Sequence, residues 1–247
     1  RSGAINLYST DRRLRLMLLA QLDQLGPTGR YLPLSDTSVG SGPSTGFVEV
    51  GLRRYPDEFA GRLREMLGDR SPSEYAVYEL DAAEIEKRGT FSRPEILFPA
   101  WMTAILRHGE GPKAALASLA FNPTGGHRHA DNLALYYVDG GDVMLDDLGY
   151  VGDMPVNAWI RDTASHNLVL VDGSAQKTTA RTPKLRMMAT SPRVSMVEAS
   201  SDAYPQCSDY RRMVALVKES EGHTFLVDIF RVKGGGKHEY RALGGLA

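Results

Sequence analysis

The spacing of hydrophobic residues in the N-terminal part of the chain predicts helices. Over residues 7–25 leucines recur at helical spacing, and a Gly-Pro pair then ends the pattern. A turn region rich in glycine, serine and proline separates this amphipathic helix from a second helical pattern over 48–67. A weaker third helix is predicted over 71–88. The sequence therefore predicts a helical segment for residues 1–95.

Beyond residues 94–99 the pattern changes to short apolar runs bounded by glycine and other turn residues, which is typical of antiparallel strands. The candidate strands are 100–107, 113–121, 133–138, 143–146, 167–171, 193–199, 210–218 and 224–232. Many short strands at this spacing predict a β-sandwich or a barrel. We expect this β domain to occupy residues 96–247.

Composition and charge narrow the classes of function. A chain that is 42% hydrophobic and 24% charged has the composition of an ordinary globular protein, not of a disordered one. A net charge of -1 predicts no general affinity for nucleic acid or for an anionic membrane. Arg211 and Arg212 could contribute to a local basic face, although such residues usually form a solvated surface. Cys207 is the only cysteine, which excludes an intramolecular disulfide and a cysteine-based zinc site.

Half of the six histidines lie close together in the β domain. His127 and His129 belong to the segment G-G-H-R-H-A-D. If this segment is an extended strand, His127, His129 and Asp131 project from the same face, which would suit a functional site. The alternative is a glycine loop in which both histidines are simply solvated, and we give the two interpretations equal weight.

Asp147 and His166 are further candidates for the same site. Asp147 ends the apolar run V-M-L-D, and its neighbour Asp146 competes with it because pleating sends the two carboxylates to opposite faces. His166 opens the apolar run N-L-V-L-V, where a lone histidine is more often a hydrogen-bonded core residue than a ligand. Two histidines, one carboxylate and a water molecule would suit a four-coordinate zinc ion.

Arg161 and two aromatic residues are candidate substrate contacts. Arg161 could bind a carboxylate or sulfate through two hydrogen bonds, but a surface ion pair with Asp162 or another acid is the favoured interpretation from the sequence alone. Tyr150 and Trp159 could stack on sugar rings or could belong to the core. The sequence contains no nucleophile elbow, no phosphate-binding glycine loop and no H-E-x-x-H motif.

Three segments in this order resemble the heparinase II/III-like polysaccharide lyases: G-G-H-R-H-A-D-N-L-A-L, V-M-L-D-D-L-G-Y and W-I-R-D-T-A-S-H-N-L-V-L-V-D-G-S-A-Q. The resemblance covers about residues 100–240, and G-P-T-G-R-Y-L-P-L-S-D-T also looks like the closing helices of that family's toroid. It implies an α+β protein, in which the C-terminal part of an (α/α) toroid over 1–95 precedes an antiparallel β-sandwich over 96–247. We expect the sandwich to be truncated, because K-H-E-Y-R-A-L-G-G stops where the family's sandwich continues.

The resemblance also implies roles for the candidate residues. His127 matches the family's catalytic histidine, and Arg161 and Tyr150 lie at positions beside the cleft. The residues that match the ligands of a supporting zinc ion are His129, Asp147 and His166. The implied reaction is β-elimination in uronate-containing polysaccharides such as heparin, heparan sulfate or alginate. The family's proton-donating tyrosine belongs to the helical domain, for which Tyr8 is a poor match, so we expect an incomplete cleft.

The implied partner is therefore an anionic polysaccharide, with no nucleic acid and no membrane, in the periplasm or outside the cell. Oligomerisation stays open. Two other functions remain as alternatives. One is a zinc-dependent hydrolase, for which Asp131 is the only ready carboxylate base. The other is a glycan-binding β-sandwich without catalytic activity.

Overall fold

The computed structural model describes residues 6–55, 59, 93–122, 126–177, 183–220 and 223–245. The chain divides into two compact units. The first comprises Arg1–Tyr31 and Ser41–Arg93, and the second comprises Leu32–Gly40 and Pro94–Ala247. The helix predicted over 71–88 lies outside the described residues, and the division at residues 95 and 96 stays a prediction. No helix in the described part of the chain is long and apolar enough to cross a membrane.

The first unit contains three described helices. They are α1 (Leu7–Thr10), α2 (Arg12–Asp23) and α3 (Thr45–Arg54). Asp11 caps α2 by accepting a hydrogen bond from the backbone N–H of Arg13, and Ser44 caps α3 in the same way. The apolar face of α2 buries Leu18 and Leu22, which confirms the predicted amphipathic helix there.

The predicted end of an (α/α) toroid is not confirmed. No closed ring of helix pairs forms among the helices described in the first unit. Residues 26–37, the segment that looked like closing helices, consist of turns, bends, irregular backbone and an isolated bridge at Tyr31. Two glycines and two prolines in this stretch explain the difference, because both residues disfavour a helix interior.

The second unit is built from antiparallel strands. The first sheet has the order β1 (Ile96–Phe98), β2 (Thr103–His108), β3 (Ala115–Ala120), β4 (Ala134–Asp139) and β5 (Asp142–Leu145). After a short helix α4 (Asn157–Ile160) and a 3₁₀ turn (Thr163–Ser165) come β6 (Val169–Val171), β7 (Lys184–Thr190), β8 (Val194–Ser200), β9 (Cys207–Ser220), β10 (His223–Gly234) and β11 (His238–Tyr240). Strands β10, β9, β8 and β7 form the second sheet in that order, and β11 pairs with β6.

The two large sheets enclose one hydrophobic core. Leu106, Leu119 and Leu135 from the first sheet pack in the same buried cluster as Val214 and Leu216 from the second. All five side chains are almost fully buried, and their burial supplies the main driving force for this unit. The predicted antiparallel β-sandwich is therefore confirmed.

Residues 32–40 form part of the second unit. The backbone N–H of Tyr150 donates to the carbonyl of Thr37 at 3.1 Å, and Ser38 forms a parallel bridge with Tyr150. The backbone N–H of Asp36 donates to the carbonyl of His127 at 3.1 Å. These contacts hold an early segment of the chain against two loops of the sandwich.

Arg212 on β9 does not belong to a basic surface. Its side chain is 0% exposed and forms a bidentate ion pair with Asp228 on β10, with N–O distances of 2.8 and 2.7 Å. It also donates to the backbone carbonyls of Leu133 and Asn167. Its neighbour Arg211 is partly exposed. The idea that both arginines contribute to a basic face is wrong for Arg212, because adjacent strand residues point to opposite faces.

Candidate metal centre and active site

Three of the predicted site residues meet in a buried cluster. His129 lies in the loop between β3 and β4, Asp147 is the second residue after β5, and His166 follows the 3₁₀ turn before β6. One potential ligand atom from each lies within 4.8 Å of the other two. All three residues are buried. The fold thus unites side chains from three separate segments, as the sequence predicted.

The distances in this cluster fit a small metal ion. His129 Nδ1 and His166 Nε2 are 3.3 Å apart, and His166 Nε2 lies 3.8 Å from Asp147 Oδ2. In a tetrahedral zinc site with bonds of about 2.0–2.1 Å, neighbouring ligand atoms lie about 3.3–3.4 Å apart. Two imidazoles and one carboxylate are also a ligand set that zinc accepts. The residues present therefore fit the metal that the sequence predicted.

The remote nitrogen of each imidazole has an oxygen partner. His166 Nδ1 lies 2.9 Å from the backbone carbonyl of Asp162, and His129 Nε2 lies 3.1 Å from Asp36 Oδ1. Carbonyl and carboxylate oxygens only accept hydrogen bonds, so both remote nitrogens carry the hydrogen. The nitrogens that face the cluster are then free to act as ligands, which is the usual arrangement around a metal-binding histidine. Burial lowers the pKa of His129 and favours its neutral, ligating form.

Of the two adjacent carboxylates, only Asp147 joins the cluster. Its Oδ1 accepts the backbone N–H of Gly149 at 2.9 Å, while Oδ2 faces His166. Asp146 Oδ1 instead accepts the backbone N–H of Asp147 at 2.8 Å. Burial raises the pKa of Asp147, and the nearby His166 opposes that effect.

His127 has a different environment from His129. Its side chain is 95% exposed, and its Nδ1 lies 2.8 Å from Asp36 Oδ2. The extended-strand interpretation is wrong, since residues 126–127 form a turn, and the solvated-loop interpretation holds for His127 but not for the buried His129. Asp131 does not share a surface with His127: it is buried, and its Oδ1 has no hydrogen-bond partner among the described residues. Burial raises the pKa of Asp131 to about 6.

Arg161 lies near the same carboxylate. Its Nη2 donates to the carbonyl of Gly126 at 2.6 Å, and its Nη1 lies 4.0 Å from Asp36 Oδ2. The favoured interpretation, an ion pair with Asp162 or another acid, is confirmed with Asp36 as that acid, while the Asp162 side chain accepts the backbone N–H of Ala164. Arg161 is partly exposed and can reach an anion in solvent.

The aromatic candidates lie at the surface. The Tyr150 hydroxyl donates to Asp153, and this hydrogen bond raises the pKa of Tyr150. Trp159 on α4 is exposed. The core interpretation is therefore wrong for Trp159, and Tyr150 is only partly buried. Both rings remain accessible to a ligand.

Asp36 was missed by the sequence reasoning. It contacts both His127 and His129, although it precedes His127 by 91 positions. Burial alone would raise the pKa of Asp36, but hydrogen bonds from the two histidines and the charge of Arg161 together lower it. Asp36 lies in the segment G-P-T-G-R-Y-L-P-L-S-D-T that resembles the family, but the resemblance gave it no role, and an acidic residue in a turn-rich stretch is common at any protein surface.

Comparison with known structures places the fold. A mutant of the heparan sulfate lyase HepC from Pedobacter heparinus matches with a TM-score of 0.65 and 17% identity, over 92% of this chain and 33% of that chain. Two heparinase III structures match with TM-scores of 0.67 and 0.64, at 16% and 18% identity, over 90% and 94% of this chain and 34% of each of theirs. The chain thus spans about a third of the length of these proteins. No curated protein matches it in sequence.

A match to a sequence-family model shows the family to which the chain belongs. The model described as heparinase II/III-like, C-terminal, matches residues 92–242, which is more than half of the chain. This range contains most of the described β-sandwich and the entire His129, Asp147 and His166 cluster. The chain therefore belongs to the heparinase II/III-like family, whose C-terminal domain it contains.

Proposed function

We propose that this chain supplies the β-sandwich part of a polysaccharide lyase site, which cleaves uronate-containing glycans by β-elimination. The observation that carries the proposal is the exposed His127 beside a buried cluster of metal-binding type, with Arg161 close to both. The lyase matches support it, since HepC is described as a heparan sulfate lyase. An anionic polysaccharide is accordingly the proposed partner, and the periplasm or the cell exterior the proposed location.

The chemistry assigns a task to each exposed group. The proton next to a uronate carboxylate is weakly acidic, so the carboxylate charge must be neutralised before a base can remove that proton. Arg161, whose side chain is 43% exposed, is suited to bind the carboxylate. His127 donates through Nδ1 to Asp36, which leaves Nε2 to accept the proton. Tyr150 is proposed to contact a sugar beside them.

The proposal also needs a proton donor for the leaving oxygen and ligands for the zinc ion. Electrons from the broken C–H bond form the double bond as the C–O bond to the leaving sugar breaks, and the departing oxygen then takes a proton. The resemblance assigns that proton to a helical-domain tyrosine. His129, Asp147 and His166 would hold the zinc ion. Such an ion would stabilise the loops of the site and add positive charge near it.

The test uses the full-length protein with heparin, heparan sulfate and alginate. Elimination produces a new carbon–carbon double bond, which is followed by ultraviolet absorbance. We expect His127→Ala to reduce the rate about 10²- to 10⁴-fold, which is the usual contribution of a general base. His108→Ala, at a partly buried histidine on β2 outside the site, is the control and should keep wild-type activity. Absence of the absorbance change with every uronate glycan would contradict the proposal.

The alternatives predict different products. A zinc-dependent hydrolase would release saturated sugars and would need Asp131 near the substrate, yet this carboxylate is almost fully buried. A binding domain without catalysis would retain the glycan and release nothing. Product analysis by mass spectrometry separates the three outcomes, because hydrolysis adds one water molecule to the products and elimination adds none.

A further inference from the structure

We propose that Asp36 is a positioning residue, which fixes the tautomers of His127 and His129 together and so joins the exposed histidine to the metal-ligand cluster. The catalytic meaning of His127 rests on the proposed function. The effect of Asp36 on His129 does not, because it depends only on the geometry of the cluster.

Both oxygens of one carboxylate are used. Asp36 Oδ2 accepts from His127 Nδ1 at 2.8 Å, and Oδ1 accepts from His129 Nε2 at 3.1 Å. The side chain of Asp36 is only 14% exposed, so water competes little for these oxygens. A third contact comes from its own backbone, whose N–H donates to the His127 carbonyl. Both the side chain and the backbone of Asp36 are therefore held in place by hydrogen bonds.

A carboxylate that accepts from two rings determines which nitrogen of each ring carries the hydrogen. His127 must be protonated at Nδ1, which leaves Nε2 as its free acceptor. His129 must be protonated at Nε2, which leaves Nδ1 facing His166 Nε2 at 3.3 Å. One residue thus prepares a proton acceptor and a metal ligand at the same time. Carboxylates that orient metal-binding histidines in this way typically contribute 10- to 100-fold to metal affinity, by order of magnitude.

Asp36→Asn tests this arrangement with almost no change in shape. An amide offers one acceptor oxygen and one N–H₂ group, so it can accept from only one of the two rings. The other ring must change its tautomer or lose its partner. Asp139→Asn is the matched control, because Asp139 also accepts two hydrogen bonds, from Tyr137 and Thr224, but contacts none of the site residues.

The first measurement needs no substrate. Nitrogen-15 NMR of the imidazoles in the wild-type full-length protein should show His127 protonated at Nδ1 and His129 at Nε2. In Asp36→Asn at least one of these two patterns should change, while Asp139→Asn should preserve both. Wild-type tautomers opposite to those expected, or tautomers that persist in Asp36→Asn, would overturn the proposal.

The second measurement is zinc affinity, followed by competition with a chromophoric chelator. Asp36→Asn should bind zinc about 10- to 100-fold more weakly than wild type. Asp36→Glu, which keeps the carboxylate, should recover part of the loss. Unchanged affinity in Asp36→Asn would overturn the link to the metal ligands.

Turnover then separates this inference from the proposed function. On a cleaved glycan, Asp36→Asn at saturating zinc should lower kcat about 10²-fold and change KM less than about threefold, as expected for loss of an interaction used mainly in the transition state. A loss confined to KM would contradict the positioning role. If the wild-type protein cleaves no uronate glycan, the proposed function fails, and the NMR and zinc results still decide the role of Asp36.

Discussion

At the scale of single residues, Arg212 connects the core of the sandwich to the site. Its guanidinium is buried, and Asp228 balances its charge. Its other N–H groups donate hydrogen bonds to the carbonyls of Leu133 and Asn167 and to the Tyr240 hydroxyl. Asn167 directly follows the metal-ligand candidate His166. Removing one member of such a network destabilises the fold, because the remaining charged or polar group stays buried without a partner.

We expect Arg212→Ala to lower the free energy of unfolding by about 3–5 kcal/mol, the usual cost of removing one partner of a buried ion pair. Urea denaturation of wild type and variant measures this difference. Arg211→Ala is the matched control: its side chain is partly exposed and pairs with surface acids, so its removal should cost about 1 kcal/mol or less. Equal losses for the two variants would show that Arg212 has no special role.

The histidines show what single residues reveal in a sequence. The residue types of His129, Asp147 and His166 suit zinc, and the family resemblance was needed to assign all three to one metal site. Asp36 could not be found this way, since an isolated acid carries no signal until the fold brings it to the histidines. Nor could spacing tell that His127 is exposed and His129 buried.

At the scale of elements, Gly149 permits the close approach of the turn after β5 to residues 32–40. Its φ of +53° lies in the left-handed region. A Cβ on Gly149 would collide with the Thr37 carbonyl oxygen and would lie 3.1 Å from Pro33 Cβ. Only a glycine therefore permits the segment that carries Asp36 to lie against this turn.

We expect Gly149→Ala to destabilise the protein and also to weaken zinc binding, because it pushes the Asp36 segment away from His129. Gly152→Ala is the control, since Gly152 also has a positive φ but has open space around its Cβ position. That control should lose only the left-handed backbone preference, about 1–2 kcal/mol, and should keep its zinc affinity. Denaturation and chelator competition measure both effects. Equal zinc affinity in the two variants would contradict the steric argument.

Hydrogen bonds to the Asp172 carboxylate join the end of β6 to the turn between β10 and β11. The Asp172 carboxylate accepts the backbone N–H groups of Gly236 and Lys237 at 2.6 and 2.9 Å. These hydrogen bonds lower the pKa of Asp172. Its folded-state pKa therefore lies below the unfolded value of about 3.9, and the stabilisation is complete above that value.

The resulting prediction concerns acid. The stability advantage of wild type over Asp172→Asn should be constant near neutral pH and should shrink as the pH falls below about 4, through the folded-state pKa, because the folded state then loses its preference for the ionised form. Urea midpoints for both proteins across this range measure the difference. An advantage that does not change with pH would show that the carboxylate charge is irrelevant.

The strands also show where hydrophobic pattern succeeds and fails. All eight predicted strands overlap observed ones, because one or both faces of each contact the core or a neighbouring sheet. The pattern missed β1, β7 and β11. Two of these have only three residues, and β7 is exposed along most of its length, so neither length nor alternation marked them.

At the scale of the whole β unit, the candidate metal cluster joins segments that the chain presents far apart. His129 precedes β4, Asp147 follows β5 and His166 precedes β6. Arg212 on β9 links the second sheet to this region by donating a hydrogen bond to the carbonyl of Asn167, which follows His166. The sequence could suggest this convergence only through the family resemblance, because spacing alone does not determine which loops of a sandwich become neighbours. A ligand held by all three segments binds the folded state and not the unfolded chain.

Such a ligand must raise the stability of the fold by mass action. If zinc binds the cluster, a concentration 100 times the dissociation constant should add about 2.7 kcal/mol to the free energy of unfolding, and a chelator should remove the increment. Thermal and urea denaturation with increasing zinc measure it. His166→Ala should abolish the response, whereas His108→Ala, outside the cluster, should keep it. A wild-type protein whose stability does not respond to zinc would contradict a zinc site formed by these residues, whatever its activity on glycans.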